Sequence, residues 1–275
     1  MTGPSVGPRL DARVFRLLAG VVEDYAGLHF DEGRMDLFAD RLGQRVADLG
    51  LPGFLDYYYH LRYDPAGPEE LHRAVEALTV NETYFFREVG PLEALLDHWV
   101  PRLGGPGRPC RIWSAACSSG EEPYTLAILA EQRGLEDRVE IHASDIDRAV
   151  LERARRGVYR ENALRATPPQ VREAWFEPGP DGRVLVPRVR ERVRFFWANA
   201  LDPGPAGESG TWDVIVCRNL FIYFLEATVE RLARGFHRAL RPGGVLLVGL
   251  TESLLRVDVP LEAVEVDGWF FYRKA

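Results

Sequence analysis

From Asp11 to about Ala77, apolar residues recur at intervals of three and four, the period of helices with one buried face. Val14, Leu17, Leu18, Val21 and Val22 fall on one stripe, and Leu37, Leu42 and Val46 on a second. Phe54, Leu55, Tyr58 and Leu61 make a third, and Leu71, Val75 and Leu78 begin a fourth. Pro52-Gly53 and the run Pro65-Ala-Gly-Pro68 break the pattern where turns belong. The reading is a small all-helical N-terminal domain over 10–78. The nine residues at the start, with two prolines and two glycines, read as a frayed leader.

Residues 79–109 read as a linker and junction helix, ending in the connector Gly104-Gly-Pro-Gly-Arg-Pro109. Beyond it the period switches. Short apolar runs at 111–115, 139–143, 214–217 and 245–249 predict strands, and helical patterns fall at 123–133, 147–155 and 227–240. Such alternation predicts an α/β domain over 110–275, a parallel sheet covered on both faces. The tail, 263–266 and 269–273 around Asp267-Gly268, predicts a closing hairpin. Residues 156–200 interrupt the rhythm, with strands expected at 184–186 and 193–197. There, 176–192 reads as a small antiparallel β insertion on the main sheet, with its turn at Pro178-Gly-Pro-Asp-Gly182.

Composition refines this only at the margins. Apolar residues at 46% and charged residues at 27% are ordinary for a soluble domain. A net charge of −7 gives no global attraction to nucleic acid or anionic lipid. Cys110, Cys117 and Cys217 lack metal or redox spacing, so reduced core thiols in a cytoplasmic protein are expected. Neither a signal peptide nor an apolar run of the ~20 residues that span a bilayer is expected. The six histidines show no metal-ligand spacing, and both a nucleophile elbow and a phosphate loop are missing. No metal is expected, and hydrolase and kinase chemistry are disfavoured.

The candidate chemistry begins at 110–129, where a strand turns through small residues ending at Gly120 into a helix. Such a turn lets backbone approach a ligand closely. Ala115, Cys117 and Gly120 replace the glycines of a dinucleotide fingerprint, and the helix opens with Glu121 and Glu122. Those acids repel a pyrophosphate and attract a cation, as in the ammonium and sulfonium of S-adenosylmethionine. An ordinary strand-to-helix turn is the alternative. Asp145 ends the next strand, where a carboxylate can hold both ribose hydroxyls or else cap a helix, a role Asp147 can take instead. Asn199-Ala200 follows a strand and can either read an adenine edge or simply turn the chain. Arg218, Asn219 and Tyr223 lie beyond a central strand, in an otherwise apolar run that can equally be core. Asn81, Thr83 and Arg87 stand among Tyr84, Phe85 and Phe86. If that segment is helical, Thr83 and Arg87 share a face. It suits either a carboxylate-docking wall or a plain hydrophobic hinge.

Together these residues resemble the chemotaxis receptor methyltransferases, the CheR family, over nearly the whole chain. Asn81-Glu-Thr-Tyr-Phe-Phe-Arg87 is similar to that family's N-E-T-x-F-F-R signature, and Ala116-Cys-Ser-Ser-Gly-Glu-Glu-Pro-Tyr124 to its cofactor turn. Cys217-Arg-Asn219 with Ile222-Tyr-Phe224 resembles its C-R-N-x-x-I-Y-F run, and Arg241-Pro-Gly-Gly244 a late turn common in methyltransferases of this fold. The resemblance implies a Rossmann-like class I methyltransferase sheet, S-adenosyl-L-methionine as methyl donor, and glutamate side chains of methyl-accepting chemoreceptors as acceptors. It implies that Asn81, Thr83, Arg87, Glu121, Asp145, Asn199, Ala200, Arg218 and Asn219 line the cofactor site. Arg87 and Tyr223 would flank the transferring methyl. The partner implied is the cytoplasmic signalling region of a chemoreceptor; nucleic acid, metal and direct membrane insertion are not expected, and a monomer is. The family meets the receptor through arginines on its second helix. Arg34, Arg41 and Arg45 stand there, interrupted by Asp36, Asp40 and Asp48. The short turn at 177–183 argues against a grip on a receptor C-terminal peptide, which some members use. Two alternatives remain at this point: a methyltransferase for a different carboxylate acceptor, or a cofactor-binding regulator without turnover.

Overall fold

Asp11 starts the first helix by accepting hydrogen bonds from the backbone of Arg13 and Val14 at 2.8 and 3.0 Å, which satisfies two otherwise orphaned N–H groups. The structure, a computed structural model, describes residues 9–105 and 107–275. All of the leader except Arg9 therefore lies outside the described residues. The chain forms two compact units: the described residues up to Val80 with Tyr223–Leu225, and Asn81–Ile222 with Glu226–Ala275.

The first unit is helical: α1 (Ala12–Ala26), α2 (Met35–Asp48), α3 (Phe54–Tyr63) and α4 (Gly67–Leu78). Its core is built on the expected period, with Val14, Leu18 and Val22, then Phe38, Leu42 and Val46, then Phe54, Tyr57 and Leu61 all buried. Five expected stripe members depart: Tyr58 and Leu71 are half-buried, and three leucines are exposed. Leu17, Leu37 and Leu55 are 43%, 47% and 45% exposed. Each is sequence-adjacent to a core residue, and one position is about 100° around a helix, enough to leave the buried face. An ion pair lies between the helices: Arg45 forks the buried Glu70 at 2.6 and 2.9 Å, and the Tyr57 hydroxyl donates to the same carboxylate at 2.8 Å.

The second unit opens with a helical stretch, α5 (Gly90–Ala94), a π-helical segment (Leu95–Trp99) and α6 (Val100–Leu103). Its sheet strands are β1 (Cys110–Ala115), β2 (Val139–Asp145), β6 (Val193–Trp197), β7 (Trp212–Cys217), β8 (Leu240–Val248), β9 (Leu261–Val266) and β10 (Trp269–Lys274). They run in the order β6-β2-β1-β7-β8-β10-β9, the first five parallel and the closing hairpin antiparallel. The helices between them are α7 (Glu121–Gln132), α8 (Arg148–Arg156) and α11 (Glu226–Ala239). Because β1 and β7 are covered on both sides, their residues are almost wholly buried, and the apolar pair Ile112-Trp113 and the run Val214–Cys217 mark them. All three cysteines are buried and free.

Asp213 clamps the opposite, amino-terminal end of this sheet. Its buried carboxylate accepts from both Nη atoms of Arg108, from the Arg111 backbone N–H at 2.9 Å, and from Arg241 at 3.4 Å.

The insertion differs from expectation. It is a separate sheet of three strands, ordered β3 (Val158–Tyr159), β5 (Gly182–Leu185) and β4 (Phe176–Gly179), accompanied by short helices α9 (Pro169–Trp175) and α10 (Pro187–Arg190). Two residues of strand after Gly157 are too few to show a period, so β3 left no pattern to read. Val186 precedes α10 and does not extend β5.

Candidate active site

The turn from β1 to α7 is wound by alternating left-handed residues, with φ +57° at Ala116, +49° at Ser118 and +91° at Gly120. The first two carry side chains in a conformation that disfavours them, a form of strain that gathers at functional sites. Asn219, Phe86 and Glu88 also have positive φ. Thus four of the six left-handed non-glycine residues among those described fall in the three conspicuous motifs, and Glu88 directly follows one of them. At Gly120 a Cβ would stand 2.8 Å from that of Ala154, so glycine alone fits.

Asp145 holds this turn in place. Its Oδ2 accepts from the Ser118 N–H at 2.8 Å and its Oδ1 from the Asp147 N–H at 2.9 Å. The Cys117 N–H adds a bond to the Ser144 carbonyl at 2.9 Å. Burial raises the Asp145 carboxyl to about 6, against the lowering effect of those backbone donors. Asp147 takes the helix cap, accepting from Ala149 and Val150 through Oδ1, while its Oδ2 accepts from Asn81 Nδ2 at 2.8 Å. The two acids therefore divide the roles: Asp147 caps α8, and Asp145 fastens the turn.

Glu121 is buried at the start of α7, two residues earlier than the helix expected from 123. Burial pushes its carboxyl up to about 7, while the Ser119 hydroxyl at 2.9 Å and the charges of Arg153 and Arg165 pull the other way. A buried acid of this kind gains most from a cationic ligand. The Ser118 hydroxyl beside it is buried with no partner among the described residues. Buried orphan donors are rare without a function.

The segment carrying Asn81, Thr83 and Arg87 is not helical, so the shared face expected for Thr83 and Arg87 does not form. Left-handed Phe86 and Glu88 exclude a helix there. It is an irregular loop pinned by tertiary bonds. The Phe85 N–H donates to the Ala163 carbonyl at 2.9 Å, and its ring stands edge-on to Tyr159 and Phe176. The Phe86 N–H reaches Thr125 Oγ1 at 3.1 Å, which in turn donates to the Glu121 carbonyl at 2.7 Å. Arg87 folds back, Nη1 donating to the Glu82 carbonyl at 3.0 Å.

Arg218 is a buried strut. Its Nη2 donates to the carbonyls of Arg87 and Glu88 at 3.0 and 3.2 Å and to the Glu88 carboxylate at 2.9 Å. Its Nη1 reaches Glu122 at 3.2 Å. The guanidinium thus bonds to the protein and positions the loop after Arg87. Asn219 is held by Glu252, whose carboxylate accepts from the backbone of Asn219, Gly249 and Phe221 at 2.7–2.9 Å. Burial raises that carboxyl, and a Cβ at Gly249 would lie 2.7 Å from it. Glu88 and Glu252 were missed from sequence. Glu88 directly follows a motif, but Glu252 offered no signal.

Asn199 is buried, its Oδ1 accepting from the Leu201 N–H, and the neighbouring Ala198 N–H donates to the Asp145 carbonyl at 3.2 Å. Ala200 is half-buried. Hydrogen bonds thereby join Asn81, Asp147, Asp145 and the 116–120 turn, and join Arg87, Arg218 and Glu122. Thr83 is half-buried within the same loop. Tyr223 falls in the helical unit, where its carbonyl accepts from the His29 N–H at 2.9 Å and it lines a groove with Leu37, Arg41 and Val80.

A parallel sheet with buried acids and a strained turn at its carboxyl end, followed by an antiparallel hairpin, fits the S-adenosylmethionine-dependent methyltransferase domain that the family comparison identifies. Residues 81–268 match the CheR methyltransferase SAM-binding domain, and residues 13–79 match the all-alpha domain of the same enzymes. The chain belongs to the CheR family. It is 37% identical to chemotaxis protein methyltransferase 2 of Vibrio cholerae, covering 84% of this chain and 82% of that one. It is 34% identical to the chemotaxis protein methyltransferase of Escherichia coli, covering 89% and 85%. A probable biofilm formation methyltransferase, WspC of Pseudomonas aeruginosa, is 35% identical, covering 84% of this chain and 55% of that protein. The fold class read from sequence is therefore correct, as is the donor. No helix among the described residues is long and apolar enough to cross a membrane.

Proposed function

We propose that this chain methylates glutamate side chains in the cytoplasmic signalling region of chemoreceptors, acting in the cytoplasm as a monomer. The observation that carries the reading is the set of three motifs bonded into one strained framework around Asp145 and Glu121. Relatives named chemotaxis protein methyltransferase support the acceptor class.

S-adenosylmethionine supplies a methyl group on a sulfonium. Glu121 is suited to its ammonium, Asp145 to the ribose hydroxyls, and Asn199 with the Ala200 N–H to the adenine edge. Asn81 and Thr83 border it, and we assign Arg87 to the methionyl carboxylate. Asn219 and Arg218 shape the wall, Arg218 by holding the loop after Arg87. Arg87 and Tyr223 are assigned to the transferring methyl. A glutamate has a pKa of ~4.3 and is already the nucleophile at neutral pH. The residues need supply no general base. Their work is alignment and removal of water around two opposite charges that cancel.

The test is transfer of radiolabelled methyl to a receptor cytoplasmic fragment, followed by mild alkali. Base-labile label released as methanol supports a glutamyl ester. Alkali-stable label, or label on another acceptor only, overturns the reading.

A further inference from the structure

Within a chain of net charge −7, residues 148–165 carry six arginines against two glutamates. Both acids already have partners: Glu152 pairs with Arg155, and Glu161 bridges Arg172 and Arg183 at 2.7 and 3.2 Å. Arg153, Arg156 and Arg160 are exposed and have no ion-pair partner among the described residues. Tyr159, between Arg156 and Arg160, donates its hydroxyl to the Ser119 carbonyl of the cofactor turn at 2.8 Å, and Ala154, beside Arg153, stands where a Cβ at Gly120 would reach it at 2.8 Å. This positive face thus adjoins the turn that begins α7.

The second helix offers much less. α2 holds three aspartates and two arginines, and Arg34, expected on it, occupies the cap position at its start instead. Arg45 is bound to Glu70 and Asp48, and Arg41 donates to the carbonyls of Ala77 and Thr79 at the end of α4. An acidic acceptor approaching a net-negative protein needs a local positive field to overcome the overall repulsion.

We infer that Arg153, Arg156 and Arg160 form a docking surface for an acidic segment of the acceptor protein, flanking the carboxylates that are methylated. The inference rests on the reading of receptor glutamates as acceptors. The three side chains are spread along exposed chain with no buried polar cradle, which suits an extended acidic segment better than a small anion.

The test compares Arg156→Glu/Arg160→Glu, and separately Arg156→Gln/Arg160→Gln, with the wild-type protein. Neither residue touches the cofactor turn. KM for a receptor fragment should rise ~10-fold in the reversed variant and less in the neutral one, as expected for lost steering. The salt dependence of KM should flatten, with kcat and the calorimetric affinity for S-adenosylhomocysteine unchanged. Anisotropy of a labelled acidic receptor helix should weaken in parallel. Unchanged KM in both variants overturns the surface while leaving the acceptor reading intact. Unchanged KM with lost binding to anionic vesicles overturns it in favour of a membrane contact. A wild-type protein that methylates no receptor fragment overturns the acceptor reading, and this surface with it.

Discussion

The Arg165 guanidinium stands 3.7 Å from the centroid of the Tyr84 ring, on a residue none of the motifs includes. Arg87 approaches the same ring at 5.7 Å, and Arg165 also bonds to the Asn162 carbonyl and to Glu82. The Glu82 carboxylate is mostly exposed, so that ion pair contributes little and the stack contributes most. Arg165→Ala should cost about 1 kcal/mol of order in the loop, weakening cofactor affinity roughly fivefold. Calorimetry with S-adenosylhomocysteine checks this, and Arg165→Lys should recover only part.

The buried acids predict a pH response. Asp145 at about 6 and Glu121 at about 7 both lie above their unfolded values. The ligand-free fold then binds more protons than the unfolded chain. The stability this gives is fully present below ~4, the unfolded range of carboxylates, and is lost as pH rises through about 7. A cationic ligand favours the ionised acids, so cofactor affinity should rise from pH 5.5 to 8. Binding should release protons, visible as a buffer-dependent enthalpy. Asp145→Ala should abolish binding, and a pH-independent affinity in the wild-type protein would contradict the assignment of Glu121 to the ammonium.

Arg218→Ala would leave Glu88 and Glu122 facing each other without their cation. Loss of one partner from a buried pair costs about 3 kcal/mol or more. Urea denaturation should show that loss. The conservative Arg218→Lys keeps the charge but not the fork, so it should recover stability in part while cofactor affinity stays low.

Tyr223→Phe keeps the ring that lines its groove and removes only the hydroxyl. Turnover should fall at least ~10-fold, the scale of one lost transition-state hydrogen bond, with cofactor affinity unchanged. Single-turnover kinetics at saturating donor would show it, and an unaltered rate would remove Tyr223 from the reaction.

Much of this architecture was legible because periodic burial leaves a trace. Leu42 and Val46 announce a helix, although Phe38 and not the expected Leu37 completes its buried face, and the buried runs of β1 and β7 announce central strands. The cap at Asp147 was legible because an acid just past a strand end stands directly before a helical pattern. What escaped was tertiary. The loop at 81–88 has helical-looking composition, yet Phe86 and Glu88 are left-handed because Thr125, Ala163 and Arg218 hold its backbone. Glu252 acts on residues thirty-one and thirty-three positions away, and no local pattern marks such a contact. The partners of Arg218, Glu88 and Glu122, are more remote still, 130 and 96 positions away in sequence.

Asp213 joins the connector at Arg108 to the starts of β1 and β8 through a single carboxylate. Strain and restraint are thereby separated along the strands: one end is fastened, the other carries left-handed residues. A chain weakened at Asp213 should lose its tolerance for further change at the cofactor end first. Acceptor preference could therefore drift through the loops only while this distant anchor remains in place.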